Sequence, residues 1–540
     1  MADIQFRFLV WLTAIVLHVT ACGGGGGSPP PPPAPDFAVS VAPASLSAVV
    51  GDATGSASVS ITPINGFTGT VSVAISGLPP GATTNPSSPL SVTANVPQTF
   101  TIATIDSTPT GTVSLKLHAT SGSLVHDASV SLATNPLVQT SQNGTQLYLE
   151  SHANGHTARI GVETAWGGSI VEVSLDGTNF VNAHDTGREV QPALYDGADK
   201  YPWPNMTVAY GWDPVLGGDS LNQGSPVLSQ QLGATSIVTQ ATPLQWNPAH
   251  YGGGVGAPVL TDMTFEQTIT VAPGTTGAFL VHYKLTHTGS DTHYNAGQEF
   301  PAVYVNSTYT TFVHYKGTTP WTNGSVTAVS AATNPSGYAP ELSAALVDAN
   351  NQGLTVFVPG VYPYWSASWP AQSGGGGPTG NSTVYMTPSA SFTIQPGQVI
   401  EGDVYLIPGD ATSARAMVYT LHQSLPDTNI VTPIVAIDAP TPSATTTGTA
   451  APVGGWAFGK TAVSAVKIYV DGALKGNATL GGARPDVAAA YPNLAPVNCG
   501  WTYSLDTTTL ANGAHSIVVH VTDASNNEAV PVPVSVTVSN

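Results

Sequence analysis

Acidic side chains in polar, aromatic stretches are the residues of this chain best suited to chemistry. Glu299 is followed by Phe300 and Pro301, and a carboxyl group beside apolar neighbours can have a raised pKa and act as an acid or a base. Paired carboxylates, one acid and one base or nucleophile, are the groups that cleave glycosidic bonds. The catalytic candidates are Glu299, Asp185, Asp213 and Glu189, with Arg188 in support.

Arg188 lies among the carboxylates Asp185, Glu189 and Asp196 in a chain with only 12 Lys and Arg residues. An arginine in this position suits an ion pair that holds a catalytic carboxylate or orients a substrate oxygen. The alternative is a buried clamp with a structural role only. For the other candidate carboxylates the alternative is a solvated loop position.

Tryptophan is concentrated in the same part of the chain. Seven of the ten tryptophans lie from Trp166 to Trp369, and several stand beside Gly and Pro and outside apolar strands. Flat aromatic faces next to amide and carboxylate groups suit sugar rings. The alternative is that these rings only pack long loops onto a sheet. The substrate-binding candidates are Trp203, Trp212, Gln191, Tyr195, Trp365 and His314.

The charge of the chain limits its partners. The net charge of −19 and the pI of about 4.8 provide no basic groove for phosphates, so nucleic-acid binding is disfavoured. We predict a polysaccharide or oligosaccharide partner. A lyase acting on uronates remains as an alternative, although its substrates usually require a positive cleft, and only His314-Tyr315-Lys316 would suit it. A non-catalytic glycan-binding protein is the third possibility.

Motifs for metals and cofactors are not found in the sequence. It contains neither H-E-x-x-H nor G-x-S-x-G, and the glycine run 252–254 lacks the Lys and Ser/Thr of a phosphate loop. His282 and His287 are five residues apart on one predicted strand, so their side chains face opposite sides and do not readily share a metal. The Asp-bearing loops 196–199 and 523–527 could hold calcium, although neither has the EF-hand spacing. Apart from that alternative, the sequence predicts neither a metal site nor a cofactor.

Short alternating strands must position these side chains. Within residues 138–428, strands are predicted at 145–150, 158–163, 168–175, 259–271, 278–287, 302–313, 353–358, 382–386 and 391–407. The exception is a helix from Ala411 to Leu425, with Asp410 as its N-cap and Pro426 after its end. An all-β domain of this length is most simply a large two-sheet sandwich.

The segments on either side, residues 37–134 and 432–540, show shorter strands separated by turn residues. The first contains no Trp and no Tyr, and it resembles the bacterial immunoglobulin-like spacer domains of secreted proteins. The second, with "VKIYVDG" and "YSLDTTTLANGAHSIVVHVTDASNN", resembles a further module of that kind. The predicted fold class is therefore all-β, with a supersandwich-like two-sheet β-sandwich flanked by two immunoglobulin-like β-sandwiches.

The N-terminus carries a different signal. Residues 8–19 are a mostly apolar run of about 12 residues, too short to span a bilayer, and Val19-Thr20-Ala21-Cys22 follows it. Residues 1–22 thus resemble a bacterial lipoprotein signal, which implies lipid on Cys22 and membrane attachment. Residues 23–36 form a Gly/Pro linker. The expected location is the cell envelope, anchored by lipid in the outer membrane, or the extracellular space.

Two longer stretches resemble the galactose mutarotase-like superfamily of carbohydrate-active domains. They are "GGSIVEVSLDGTNFVN" with "DTGREVQPALYDG", and "FEQTITVAPGTTGAFLVHYKLTHTGSDTH". The resemblance covers residues 140–425 and implies sugar handling while leaving the reaction open, because the superfamily includes mutarotases, glycoside hydrolases and polysaccharide lyases. Where mutarotases have His-Pro-Tyr-Phe, this chain has Gln298-Glu299-Phe300-Pro301. That difference weighs against mutarotase activity and makes Glu299 a candidate substitute.

Overall fold

The structure, a computed structural model, describes residues 31–540 apart from a set of internal residues. The internal residues outside the described part are 154, 182–188, 197–199, 202–208, 249–256, 276, 318, 360–363, 373–382, 426–432, 460, 492–494, 525, 527 and 532. Strands make up most of the regular secondary structure of the described chain, and they are arranged in stacked sheets. The predicted all-β class is confirmed.

Residues 36–135 form the first β-sandwich. Its strands are β1 (Asp36–Ala42), β2 (Ser45–Val49), β3 (Ala57–Ile64), β4 (Thr70–Ser76), β5 (Thr83–Asn85), β6 (Leu90–Thr93), β7 (Gln98–Ala103), β8 (Gly111–Ser121) and β9 (Leu124–Asn135). The sheet orders are β1-β3-β7-β5 and β2-β9-β8-β4-β6. Strict alternation buries Val71, Val73 and Ile75 on one side of β4, so an apolar layer lies between the two sheets.

Residues 138–424 form the large sandwich. Its strands are β10 (Val138–Asn143), β11 (Gln146–Ala153), β12 (His156–Glu163), β13 (Ser169–Leu175), β14 (Thr178–Asn179), β15 (Val190–Tyr195), β16 (Lys200–Tyr201), β17 (Ala209–Tyr210), β18 (Pro214–Val215), β19 (Val227–Leu232), β20 (Ser236–Ala241), β21 (Leu244–Gln245), β22 (Met263–Val271), β23 (Phe279–His287), β24 (His293–Asn306), β25 (Thr311–His314), β26 (Thr327–Ser330), β27 (Ser336–Tyr338), β28 (Ser343–Val347), β29 (Gln352–Phe357), β30 (Tyr364–Gln372), β31 (Thr383–Ile394) and β32 (Val399–Asp410).

Two large sheets make up this sandwich, and β16 and β17 pair separately. The twelve-stranded sheet has the order β10-β11-β12-β13-β15-β24-β31-β30-β27, with β14, β18 and β21 attached. The nine-stranded sheet has the order β19-β20-β22-β23-β32-β29-β28-β25-β26. Side chains from both sheets, among them Val303, Val384, Val281 and Val404, are fully buried in one apolar cluster. We call the sides that meet in this cluster the inner faces and the opposite sides the outer faces.

The outer face of the nine-stranded sheet is covered by helix α1 (Ala411–Ser424). Its Asp410 N-cap accepts a hydrogen bond from the Ser413 backbone N–H at 2.8 Å, which satisfies one of the free donors of the first turn. The helix buries Ala414, Val418 and Leu421 against the sheet. The prediction of this helix and its N-cap is confirmed, and the described helix ends one residue earlier than predicted.

Residues 434–538 form the third sandwich. Its strands are β33 (Ile434–Ala439), β34 (Thr445–Thr446), β35 (Ala451–Phe458), β36 (Val463–Val470), β37 (Ala473–Asn477), β38 (Thr479–Gly482), β39 (Gly500–Leu505), β40 (Gly513–Asp523), β41 (Glu528–Ala529) and β42 (Val534–Val538). A short helix, α2 (Pro485–Ala490), lies between β38 and β39. The sheet orders are β33-β35-β39-β38 and β34-β42-β40-β36-β37, with β41 paired to β40. The buried Cys499 packs beside Phe458 and Val487, as expected for a structural thiol.

One segment differs from the sequence prediction. Residues 293–301 were predicted to be a loop leading into a strand, but they belong to β24. The register against β31 shifts between His293 and Ala296 and again between Glu299 and Val303. Such bulges interrupt the two-residue alternation by which a strand is recognised in a sequence.

Candidate functional site

Glu299 lies in the middle of the twelve-stranded sheet. It pairs with Ala193 of β15 and with Ser389 of β31. Leu194, the residue next to Ala193, belongs to the inner apolar cluster. Since directly opposed residues of an antiparallel pair point to the same side, Glu299 lies on the outer face.

Tyr385 is the hydrogen-bond partner of Glu299. It stands between Val384 and Met386 of β31, which are both in the inner cluster, so its side chain is also on the outer face. The Tyr304 ring lies 5.0 Å from that of Tyr385. The sheet therefore presents a carboxyl group and tyrosine rings on one surface.

Protonation of this cluster follows from its surroundings. Glu299 keeps some exposed surface, but protein atoms around its carboxyl group raise its pKa, and the hydrogen bond from Tyr385 opposes that rise. Burial raises the pKa of Tyr385 well above its ordinary value, and the nearby Glu299, Tyr304 and Tyr195 add to that rise. The phenol therefore stays protonated and donates the hydrogen bond. The site can hold a proton on a carboxyl group next to neutral hydroxyls.

The candidates on and beside β15 have structural contacts. The Gln191 side-chain oxygen accepts a hydrogen bond from the Gly217 backbone N–H, and the residue is buried. The Asp213 carboxylate accepts one from the Asn247 backbone N–H at 3.2 Å, also in the interior. Glu189 is buried just before β15. These three side chains are buried inside the protein. Tyr195 is the candidate of this group that lies near Tyr385.

Three predicted residues, Asp185, Arg188 and Trp203, lie outside the described residues. The pairing of Glu299 with Asp185 therefore stays a prediction. Asp213, a further catalytic candidate, lies close in sequence to Asp219. Asp219 is buried and accepts hydrogen bonds from the backbone N–H groups of Leu221 and Gln223, which fixes it as a turn residue.

Two tryptophans expected to stack on sugar are enclosed by protein. Trp365 is fully buried in the inner cluster. Trp212 is 3% exposed, and the His293 ring is stacked on it at 3.6 Å between centroids. The described structure leaves neither ring a free face for a sugar, because protein atoms cover both. The Gly and Pro neighbours that suggested exposed loops surround packed residues instead.

His314, the remaining candidate, lines a separate cavity of about 560 Å³ between the nine-stranded sheet and α1. Burial lowers the pKa of His314 to about 4, so its imidazole is neutral near pH 7. The same cavity is lined by Arg415 and Glu341. Arg415 makes two hydrogen bonds of 2.8 Å to the Glu341 carboxylate and a third to the Gly324 carbonyl. Its charge is thus compensated inside the protein.

A cluster that the sequence analysis missed could hold a metal ion. One ligand atom from each of Asp262, His287, Asp291 and His293 lies within 4.8 Å of all the others. His282 lies outside this cluster and faces Asp403 at 2.8 Å, as the five-residue spacing from His287 predicts. The available signal was the segment His287-Thr-Gly-Ser-Asp291-Thr-His293, which places an acidic residue and two imidazoles within seven residues.

No helix among the described residues is long and apolar enough to cross a membrane.

Residues 433–519 match the family model of the bacterial Ig domain. This match confirms the immunoglobulin-like interpretation of the C-terminal segment. No curated protein matches the sequence.

Solved structures show weak likenesses. A polysaccharide lyase is 10% identical with a TM-score of 0.27, over 72% of this chain and 47% of the lyase, so this chain spans less than half of that protein. A protein from Klebsiella pneumoniae described as an aldose 1-epimerase is 11% identical with a TM-score of 0.29, over 60% of this chain and 93% of that one. Fibronectin(III)-like modules from Clostridium thermocellum are 17% identical with a TM-score of 0.14, over 19% and 94%. The chemistry of the site therefore rests on its own residues.

Proposed function

We propose that the chain hydrolyses a polysaccharide or oligosaccharide on the outer face of the twelve-stranded sheet. The observation that carries the proposal is the hydrogen bond between Tyr385 and Glu299, whose pKa is raised by burial. A carboxyl group of this kind can keep its proton at a pH where an ordinary glutamate is ionised, and it can give that proton to a leaving oxygen.

The reaction follows the two-carboxylate scheme. Glu299 transfers its proton to the glycosidic oxygen as the bond between this oxygen and the anomeric carbon breaks. Water adds to the anomeric carbon and gives up a proton to a second carboxylate, for which we propose Asp185. It belongs to the segment just before β15, the strand that pairs with the strand of Glu299. One product gains a hydroxyl group at its anomeric carbon, and the other gains a hydrogen on the former glycosidic oxygen.

Tyrosine side chains would provide the sugar contacts. Tyr195 and Tyr304 lie near Tyr385 and offer both flat rings and hydroxyl groups. Rings of this kind cover the apolar faces of sugars, while their hydroxyls exchange hydrogen bonds with sugar hydroxyls. Net charge also bears on the substrate. A chain with a net charge of −19 favours neutral sugars over uronates.

We also propose that the protein works at the bacterial cell envelope, held by lipid on Cys22. The apolar run, the small residues before Cys22 and the Gly/Pro linker after it support this proposal. A tether of this kind would keep the enzyme at the cell surface, where extracellular polysaccharide is found.

The deciding experiment is a product assay with the full chain on a panel of neutral and acidic polysaccharides. Hydrolysis yields new reducing ends whose masses include one added water, and Glu299→Gln should greatly slow their formation while the folded state is retained. A product lighter by one water identifies a lyase instead. Binding without any product would leave a glycan-binding protein and overturn the proposed hydrolysis.

A further inference from the structure

We propose that Asp262, His287, Asp291 and His293 form a binding site for a divalent transition-metal ion, with Zn²⁺ as the best match. His287 ends β23, Asp262 directly precedes β22, and His293 begins β24. Asp291 lies in the turn between His287 and His293. None of the four ligands takes part in the proposed hydrolysis, so this proposal does not depend on it.

Three distances between ligand atoms are close to those of a tetrahedral ion. His287 Nε2 lies 3.2 Å from Asp262 Oδ2 and 3.5 Å from Asp291 Oδ1, and His293 Nε2 lies 3.7 Å from Asp291 Oδ2. Zinc bonds to nitrogen and oxygen are about 2.0–2.1 Å long, so the ligand atoms of a tetrahedral zinc stand about 3.3–3.4 Å apart. The three separations lie close to that value, two of them through different oxygens of Asp291, and all four ligand atoms lie within 4.8 Å of one another. The ligands would draw slightly together on an ion.

Both imidazoles have their Nδ1 atoms committed to other partners. His287 Nδ1 lies 2.9 Å from the Gln395 carbonyl oxygen, and His293 Nδ1 lies 3.0 Å from Asp196 Oδ2. A carbonyl or carboxylate oxygen can only accept, so each Nδ1 carries the hydrogen. In the neutral ring this leaves the Nε2 lone pair directed at the cluster, as in protein metal sites whose ligands are fixed by a carbonyl or carboxylate.

The Nε2 atom of His293 is an independent sign that something binds here. His293 is 5% exposed, and this atom is buried without a hydrogen-bond partner among the described residues. Burial of an unpaired polar atom is unfavourable. A metal bond to the lone pair removes that cost.

The other neighbours of the cluster also hold its ligands in place. The Trp212 indole N–H donates to Asp262 Oδ1 at 2.8 Å, which leaves Oδ2 for the ion. Trp212 also stacks on His293, with an angle of 13° between the rings, and so fixes the plane of this imidazole. The tryptophan expected to bind sugar thus orients two members of the cluster.

Gly289 provides the space that the ligand atoms need. A Cβ atom at this position would stand 2.1 Å from Asp262 Oδ2, 2.6 Å from His287 Nε2 and 2.8 Å from Asp291 Oδ1. These contacts are far inside van der Waals distance, so any larger residue would force the ligand atoms apart. Glycine is required here by the cluster itself.

The donor set selects the kind of ion. Two imidazole nitrogens and two carboxylate oxygens suit Zn²⁺, whereas Ca²⁺ and Mg²⁺ prefer oxygen ligands alone. Four protein ligands are typical of a structural zinc site. Asp262 and His287 are attached to the nine-stranded sheet, and His293 belongs to the twelve-stranded sheet. The ion would therefore tie the two sheets together at the ends of β23 and β24.

Metal content of the full chain is the first test. The chain is purified with a tag that contains no histidine, stripped with a chelator, dialysed, and titrated with Zn²⁺ against a chromophoric competitor. We expect about one zinc per chain, as a single four-ligand site requires. Chelation should lower the unfolding temperature seen by tryptophan fluorescence, and Zn²⁺ should restore it.

Variants separate this site from incidental binding. His287→Ala and His293→Ala should lose the zinc, and Gly289→Ala should lose it without any change of ligand. Asp196→Asn should weaken the affinity by about 10–100-fold, the usual effect of removing a partner of a ligand histidine. His282→Ala is the matched control, because it removes a histidine of the same strand that faces Asp403.

Some outcomes would overturn the proposal. If the folded wild-type chain binds no zinc in the titration, the four residues make only protein contacts, and the proposed site does not exist. Saturation by Ca²⁺ alone, or equal loss of zinc in His282→Ala, would also exclude this cluster. The wild-type titration needs no substitution, and Asp196→Asn changes only one side-chain atom. The proposal can therefore be tested even if a ligand variant misfolds.

Discussion

Tyr385 donates its hydroxyl hydrogen to Glu299 from the neighbouring strand β31, and both side chains lie on the outer face of the twelve-stranded sheet. The hydrogen bond stabilises the ionised carboxylate, while the surrounding protein favours the protonated one. The effect of the surrounding protein is the larger of the two, so the pKa of Glu299 is raised. This pair is the basis of the first prediction.

Glu299→Gln should reduce the hydrolysis rate by about 10²–10⁴-fold, the usual contribution of a general acid. Tyr385→Phe should act in another way. Removing a donor to the carboxylate raises the pKa of Glu299 further, so the alkaline limb of the pH–rate profile should move to higher pH. Tyr309→Phe, a tyrosine packed against Phe180, is the control. A profile of Tyr385→Phe that matches the wild type would contradict the assignment of Glu299 as the acid.

His314 should make the large sandwich sensitive to acid. Burial lowers the pKa of His314 to about 4. The folded protein therefore has its full stability above the unfolded pKa of about 6.5, where His314 is neutral in both states. It loses stability as the pH falls from there through the folded pKa, because the unfolded chain binds the proton more tightly. Between pH 7 and pH 4 the wild type should lose about 3 kcal/mol more than His314→Phe. Denaturant unfolding followed by tryptophan fluorescence measures the difference, and parallel pH curves would refute the prediction.

The ion pair of Glu341 and Arg415 should be costly to break. Glu341 is 1% exposed, and its carboxylate also accepts a hydrogen bond from Tyr419 at 2.5 Å. Glu341→Gln leaves the Arg415 charge buried without its partner and should destabilise the sandwich by about 3–5 kcal/mol.

The matched control for that experiment is Glu172→Gln. Glu172 pairs with Arg159, whose side chain is 38% exposed. Solvent screens this pair, so the loss should be about 1 kcal/mol or less. Equal losses in the two variants, measured by the same unfolding transition, would show that burial of the Glu341–Arg415 pair is unimportant.

Cys22→Ser should release the protein from membranes when the full-length chain is expressed in a bacterium. The thiol is the only group in the proposed signal that could receive lipid. Fractionation and labelling with a radioactive fatty acid provide the measurement, and Cys499→Ser is the control because Cys499 is a buried core residue. Incorporation of label into Cys22→Ser would refute the lipoprotein proposal.

Local patterns were sufficient to predict much of the fold. The stripe Ala414, Val418 and Leu421 and the cap at Asp410 predicted α1. Clean alternation, as in β22 and β23, identified strands whose one side is buried. Where register shifts interrupt the alternation, as in β24, the sequence suggested a loop.

The sites were harder to predict because they depend on contacts between distant residues. Trp212 stands in a loop-like sequence, but stacking on His293 encloses it. Strand spacing separates His282 from His287, but it does not show that the turn after His287 brings His293 close to Asp262. Glu299 was singled out for its apolar neighbours, whereas Tyr385, its partner, carries no signal in its own stretch of sequence.

The pairing of Ala193 with Glu299, and of Glu299 with Ser389, has a consequence for folding kinetics. These strands are far apart along the chain. Contacts between such strands form slowly, because closing the long intervening loop costs entropy before the contacts are gained. The surface that carries Glu299 and Tyr385 cannot exist until β31 has joined β24. Any truncated product that ends before β31 would expose the edge of β24, which makes it prone to aggregation.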